Sequence, residues 1–334
     1  TRDGASLPNY FGDAVNGFAF TEESRRPDRQ RLQQSYFRAA ATLNHIRALI
    51  SGGFADLHHP YSWNLHSIEQ TEEWPEYKRV VEDILASIDF MESFGGVNPE
   101  KLGQVDMFTS HEGLHLDYES ALTRRDPDDG RYYNVGAHLL WVGKRTRALD
   151  EAHIEYVRGI ANPIAVKLGP DASADEVEKL AAVLNPENDP GRLMLISRMG
   201  HEAAADLLPS LVQRVQKKSI AVSWSCDPMH GNTITTADGV KTRKFSDIQA
   251  ELETSFRVHQ EAGSILSGVH FEMTGEEVTE CTGGAIRLGE ADLGGNYQSY
   301  CDPRLNYAQS IEMAFLIARL AKVQRPSWPG PASR

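Results

Sequence analysis

Pro163-Ile164-Ala165-Val166-Lys167-Leu168-Gly169-Pro170 is an apolar run of strand length that ends in a Gly-Pro turn. Three residues later Ser173 and Glu176 form a capping box ahead of Val177, Leu180 and Leu184, the start signal and spacing of an amphipathic helix. This strand–turn–helix unit recurs. Further short apolar runs lie at Val105–Thr109, His138–Val142, Leu193–Ser197, Ile220–Ser225 and Gly268–Met273, and helices are predicted over Glu202–Lys217 and Phe245–Glu261. Strands alternating with helices imply parallel βαβ units. Six units fall short of the eight in a (β/α)8 TIM barrel. The sequence therefore predicts an α/β barrel that begins partway in, without its first two strands.

Thr1–Phe20 reads as loop, and Asp28–Ile50 and Tyr77–Ser93 read as two extra N-terminal helices whose apolar stripes are expected to pack. A last helix, Tyr307–Val323, is expected against the barrel wall. The predicted organisation is one barrel domain over residues 1–325, with loop and helices over 1–100, the six units and final helix over 105–325, and a flexible tail over 326–334.

Composition bounds the function. The chain has 334 residues, 40% hydrophobic and 24% charged, with net charge −13. That balance argues against nucleic acid or an anionic membrane as partner. No apolar run approaches the roughly 20 residues needed to cross a bilayer, and the N-terminus has no signal-peptide core. Three scattered cysteines (Cys226, Cys281, Cys301) fit a reducing compartment, so a cytoplasmic location is expected.

Barrel chemistry collects where strands end. The residues at or just past the runs are Glu112, Arg145, Lys167, Arg198, His230 and Glu272. Taken singly, each is best read as a strand leaving for solvent. Six at matching positions point to a site, because an apolar strand has no structural use for an unpaired charge. Arg145, Lys167 and Arg198 are expected to converge. Three cations repel unless a polyanion joins them, and a substrate carrying both phosphate and carboxylate fits best.

His230, Glu272 and the later Asp302 offer one imidazole and two carboxylates, a set suiting Mn²⁺, Co²⁺, Fe²⁺ or Zn²⁺ better than Mg²⁺. Asp227 is placed to orient His230. His58 and His59 read as surface, and His115, His153, His201 and His259 as helix residues facing solvent or filling gaps. Cys226 and Cys281 read as buried apolar residues, while Cys301 falls beside Asp302.

Several long motifs resemble the class II (plant-like) 3-deoxy-D-arabino-heptulosonate 7-phosphate synthases. They are Thr109-Ser110-His111-Glu112, Arg145-Thr146-Arg147 with Asp150 to His153, Asn162 to Pro170, Pro190-Gly191-Arg192 through Gly200, Cys226 to Thr233, Lys241-Thr242-Arg243, Val278 to Cys281, and Cys301 to Asn306. Asn9 to Gly17 and Ala39 to Leu49 match too, so the likeness runs from about Leu7 to Val323. The resemblance implies condensation of phosphoenolpyruvate with erythrose 4-phosphate and water, the first step towards chorismate. It implies that Lys144, Arg145, Lys167 and Arg198 hold phosphoenolpyruvate and that His230, Glu272 and Asp302 bind the metal. Lys167, Arg145 and Glu112 are the expected catalytic residues. Mn²⁺ is the expected ion with Co²⁺ the alternative, and a homodimer or higher homo-oligomer is expected.

The chain departs from the family pattern in places. Nothing in it matches the family's Gly-Asp-Cys-Ala-Glu segment, which carries a fourth, cysteine ligand, or its Lys-Pro-Arg-Ser/Thr motif. Both belong to the first two strands and are expected before Thr1. Lys144 stands where the family usually has Glu, and Phe11 where it usually has Arg. Alternative readings are the same reaction in specialised metabolism, a catalytically impaired regulatory homologue, and an aldolase that accepts pyruvate.

Overall fold

The structure is a computed structural model that describes residues 4, 6–54, 74–94 and 106–324. The chain divides into two compact units, Thr1–Met107 and Phe108–Arg334. His58, His59, Val105 and the tail lie outside the described residues.

In the first unit, α1 (Glu22–Arg25) is capped by Thr21 and α2 (Arg29–Ser51) by the side chain of Asp28. The third helix, α3, spans Trp74–Phe94. Asn16 ties the preceding loop together, accepting from Phe11 N (2.9 Å) and donating to the carbonyls of Asn9 (2.9 Å) and Arg25 (3.1 Å). Phe11 itself is exposed. Among the described residues none of α2 is buried, and Tyr36 on its apolar stripe is 43% exposed. Spacing shows that a helix has an apolar face, not that something covers it.

In the second unit the elements run β1 (Ser110–Glu112), α4 (Leu116–Ala121), β2 (Thr123–Arg125), β3 (Tyr132–Asn134), β4 (Leu139–Val142), α5 (Ala152–Arg158), β5 (Ile164–Leu168), α6 (Ala174–Leu184), β6 (Leu193–Ser197), α7 (Ala204–Lys217), β7 (Ser223–Cys226), β8 (Thr233–Thr235), β9 (Lys241–Arg243), α8 (Phe245–Glu261), β10 (Leu266–Val269) and α9 (Tyr307–Gln324). Six strands form one parallel sheet in the order β1-β4-β5-β6-β7-β10. Helices α5 to α9 pack one against the next. A sequentially ordered parallel wall backed by helices is consistent with a TIM-barrel-like fold. β2–β3 and β8–β9 are two-stranded antiparallel ribbons beside it.

The core lies between sheet and helices. Ile164, Val166 and Leu168 of β5 meet Val177, Leu180 and Leu184 of α6, all essentially inaccessible to solvent. Burying six such side chains stabilises by roughly 1.5–3 kcal/mol each before entropy is counted. Ser173 caps α6 by accepting from Glu176 N (3.1 Å). The reciprocal half of the predicted box is not made, because the Glu176 carboxylate instead accepts from Arg147 (2.8 Å).

Three strand predictions shift, the run Ile220–Ser225 moving forward to Ser223–Cys226. Residues 106–109 of the run Val105–Thr109 are not a strand: β1 starts at Ser110, and Phe108 is 72% exposed. The run at Gly268–Met273 moves back to Leu266–Val269, leaving Glu272 in the loop beyond. Past that loop, Met273 and Leu305 make a lone parallel bridge, and α9 follows. A single bridge is too short for any apolar pattern to show.

Candidate active site

Register aligns the ends of the strands. Beyond the paired residues, Arg198 N donates to Leu168 O (2.9 Å), Asp227 N to Ser197 O (2.7 Å) and His270 N to Cys226 O (2.8 Å). On the β1 side, Gly113 N donates to Trp141 O (2.9 Å). These bonds carry the sheet one residue past each strand and line up Lys167, Arg198, Asp227 and His270 along one C-terminal rim.

Lys167 is almost fully buried, and its Nζ donates to Asp227 Oδ2 (2.8 Å). It also lies 3.2 Å from His270 Nε2 and 5.5 Å from the Trp141 ring centre. Asp227 has no exposed surface. Burial would raise its carboxyl pKa, but His230 and the Lys167 charge hold it far below the usual carboxylate range. Asp227 also accepts from the backbone N–H groups of Met229 and His230 (both 3.1 Å) and from His230 Nδ1 (2.8 Å). The contact expected between Asp227 and His230 is made in this turn.

Fixing Nδ1 leaves His230 Nε2 facing two carboxylates, Glu272 Oε1 at 3.1 Å and Asp302 Oδ2 at 3.8 Å. Ligand atoms from the three residues lie within 4.8 Å of one another, near enough to share one metal ion. Burial by itself would lower the His230 pKa, yet Asp227 and Glu272 override it and raise the value to about 9. A pocket that so favours positive charge at Nε2 also suits a divalent cation there. Imidazole and carboxylate donors fit Mn²⁺-type ions.

Arg198, just beyond β6, is half-buried and donates from Nη2 to His230 O (2.9 Å). Its loop and the His230 loop touch backbone to backbone: a Cβ on Gly231 would collide with Gly200, which itself has φ +84°. Glu251 of α8 holds both loops, accepting from Met199 N (2.7 Å), Gly200 N (3.0 Å) and Asn232 Nδ2 (2.7 Å). Burial pushes the Glu251 carboxyl up to about 7.

The β1–β4 corner is looser. Glu112 is half-buried, with its carboxylate against the Gly143 backbone, where a Cβ would collide with it. Lys144 pairs with Asp171 (3.1 Å), which also accepts from Arg147 (3.1 Å), so the Lys144 charge is locally compensated. Arg145 is exposed and makes no ion pair among the described residues. Lys167 and Arg198 are thus joined through Asp227 and His230, while Arg145 has no hydrogen bond to that network.

Sequence reading missed several residues. His270 lies against Lys167, and burial lowers its pKa. Lys241 pairs with Asp302, and the wholly buried Arg243 with Glu272. Glu251 and Glu280 are both buried. The available signal for Glu251 was a charge at helical spacing between Ile248 and Leu252; the strand Lys241-Thr242-Arg243 carries no apolar residue and gave none. Cys226 and Cys281 are buried as expected and Cys301 is exposed. His259 is wholly buried, the second of the two alternatives expected for it, with Nδ1 3.0 Å from Ser264 Oγ.

A parallel α/β wall whose rim gathers cations beside an imidazole and two carboxylates has the layout of an enzyme acting on anions. Comparison narrows this. The model of the Class-II DAHP synthetase family matches residues 1–318, and the chain belongs to that family of transferases. The chain is 45% identical over 324 residues to a phospho-2-dehydro-3-deoxyheptonate aldolase of Streptomyces coelicolor, covering 97% of this chain and 72% of that protein. It is also 45% identical over 334 residues to a protein of the same name from Neurospora crassa, covering 95% and 69%. A solved phospho-2-dehydro-3-deoxyheptonate aldolase from Francisella tularensis aligns over 57% of each chain at 15% identity and a TM-score of 0.37, too low to carry an argument. No helix among the described residues is long and apolar enough to cross a membrane.

Proposed function

We propose that this protein condenses phosphoenolpyruvate with erythrose 4-phosphate and water, yielding 3-deoxy-D-arabino-heptulosonate 7-phosphate and phosphate, the entry step of the shikimate route. The observation that carries it is the bridge from Lys167 through Asp227 to His230, which joins an anion-binding cation to the candidate metal cluster. A divalent cation held by His230, Glu272 and Asp302 would supply Lewis-acid polarisation of the aldehyde oxygen. Mn²⁺ is the favoured ion.

Lys167 and Arg198 hold phosphoenolpyruvate through its phosphate and carboxylate, Lys167 as a compact charge and Arg198 as a planar fork. Arg145 and the backbone at Lys144 complete the anion site, and Glu112 lies near the reacting carbon. Asp227 pairs with Lys167 and aims its Nζ. Positioning both substrates in line supplies much of the acceleration. The methylene carbon of phosphoenolpyruvate attacks the aldehyde carbon, water adds to the cationic carbon left behind, and phosphate departs. The protein acts in the cytoplasm, as a homo-oligomer.

The test is phosphate release from phosphoenolpyruvate plus erythrose 4-phosphate, with Mn²⁺ and with a chelator. Release is expected only with both substrates and metal. Turnover of pyruvate in place of phosphoenolpyruvate, or full activity in chelator, would sink this reading.

A further inference from the structure

β9 is a strand of only three residues, Lys241-Thr242-Arg243. In a strand, residues two apart share a face. Here that face meets the two carboxylates of the candidate metal cluster, one cation to each. The contacts divide the carboxylate oxygens. Arg243 binds Glu272 through Oε2, while Glu272 Oε1 is the oxygen 3.1 Å from His230 Nε2. Lys241 binds Asp302 through Oδ1, while Asp302 Oδ2 is the oxygen 3.8 Å from the same nitrogen. His230 is split likewise, with Nδ1 on Asp227 and Nε2 presented.

Arg243 reaches further. Its Nε donates to Thr233 Oγ1 (2.9 Å), three residues beyond His230, and Nη1 donates to the carbonyl of Pro303, next to Asp302. One buried guanidinium therefore touches the segments of all three candidate ligands. The Asp302 loop is also pinned from its other side. There Glu280, itself buried, accepts from Ser299 N (2.8 Å) and from Arg304 N (2.7 Å). Two bare carboxylates directed at one point would repel each other. Cations on their rear oxygens offset that repulsion and fix which oxygen faces inward.

We propose that Lys241 and Arg243 are positioning residues of the metal site, which hold Glu272 and Asp302 by their rear oxygens and so present one oxygen each. This rests on the metal reading above. An opposing effect is calculable in sign: two nearby cations repel a metal ion, so if charge masking were their sole effect, removing one would tighten binding.

The experiment is calorimetric titration of the metal-stripped protein with Mn²⁺, with thermal melting of every variant. His230→Ala is the control for the cluster itself. Lys241 is half-exposed, so Lys241→Met should fold normally. Its Mn²⁺ dissociation constant should rise about 10–100-fold, the usual consequence of losing a partner behind a ligand. Lys241→Arg should recover most of that loss. Arg243→Lys should weaken binding at least as much and lower the melting temperature. Unchanged or tighter Mn²⁺ binding in Lys241→Met, with wild type binding normally, overturns the positioning role. Wild type that binds no Mn²⁺, or binds it equally after His230→Ala, overturns the metal assignment and this inference with it.

Discussion

Two corners of one rim are built differently. At the His230 corner every predicted ligand has a second atom already engaged: His230 with Asp227, Glu272 with Arg243, Asp302 with Lys241. At the β1–β4 corner Arg145 is exposed and Lys144 is turned to Asp171. The first corner is organised by the protein itself, and ligand binding there meets groups whose entropy is already spent. The second has side chains still to be ordered, at about 0.5–1.5 kcal/mol for each long side chain immobilised. Preorganisation belongs to the candidate metal end, and adaptability to the proposed anion end.

The contrast can be tested hardest at His230. His230→Ala is expected to abolish measurable Mn²⁺ binding and turnover together, because it removes the nitrogen both carboxylates face. Asp227→Asn should come next. It keeps the shape but removes the charge shared by Lys167 and His230. Mn²⁺ affinity should fall about 10–100-fold, with the KM for phosphoenolpyruvate rising alongside. If KM rose while metal affinity held, the two corners would be independent. Arg198→Ala should raise that KM on the order of 10–100-fold, the loss of a charged hydrogen-bond pair, with metal content unchanged.

A fourth prediction concerns stability. Burial lowers the His259 pKa from 6.5 to about 4. The folded state therefore favours the neutral ring, and stability is fully present above about pH 6.5. It is lost as pH falls towards 4, where the unfolded chain gains the proton first. Between pH 8 and pH 5 the loss is about 2 kcal/mol from this group. Denaturant unfolding of wild type and His259→Phe at both pH values would show it as a slope missing from the variant. The smallest effect is expected at Lys144. Lys144→Ala breaks a half-exposed pair with Asp171 and should change stability by less than about 1 kcal/mol. Any larger effect on the KM for phosphoenolpyruvate would assign Lys144 to substrate and not to Asp171.

Legibility in the sequence followed period and position. The apolar patterns of Phe245–Glu261 and Leu193–Ser197 are complete, and both elements span those residues in the structure. His230, Glu272 and Asp302 were named from strand ends and resemblance, and they do meet. The exposed stripe of α2 and the single bridge at Leu305 were not readable, since one needs knowledge of what covers a face and the other is too short for a period.

The repeating strand-and-helix pattern, with a polar residue closing each run, was determined by the chain alone. Local sterics and side-chain period set it, and they act within a few residues. Tertiary structure decided the partners. Arg243 lies 29 residues from Glu272 and Lys241 lies 61 from Asp302, and no local rule links such distances. Lys167 and Asp227, 60 apart, meet because β5 to β7 lie side by side in register. Which oxygen of Glu272 and Asp302 faces His230 and which is held from behind is set by where β9 meets the loops beyond β10.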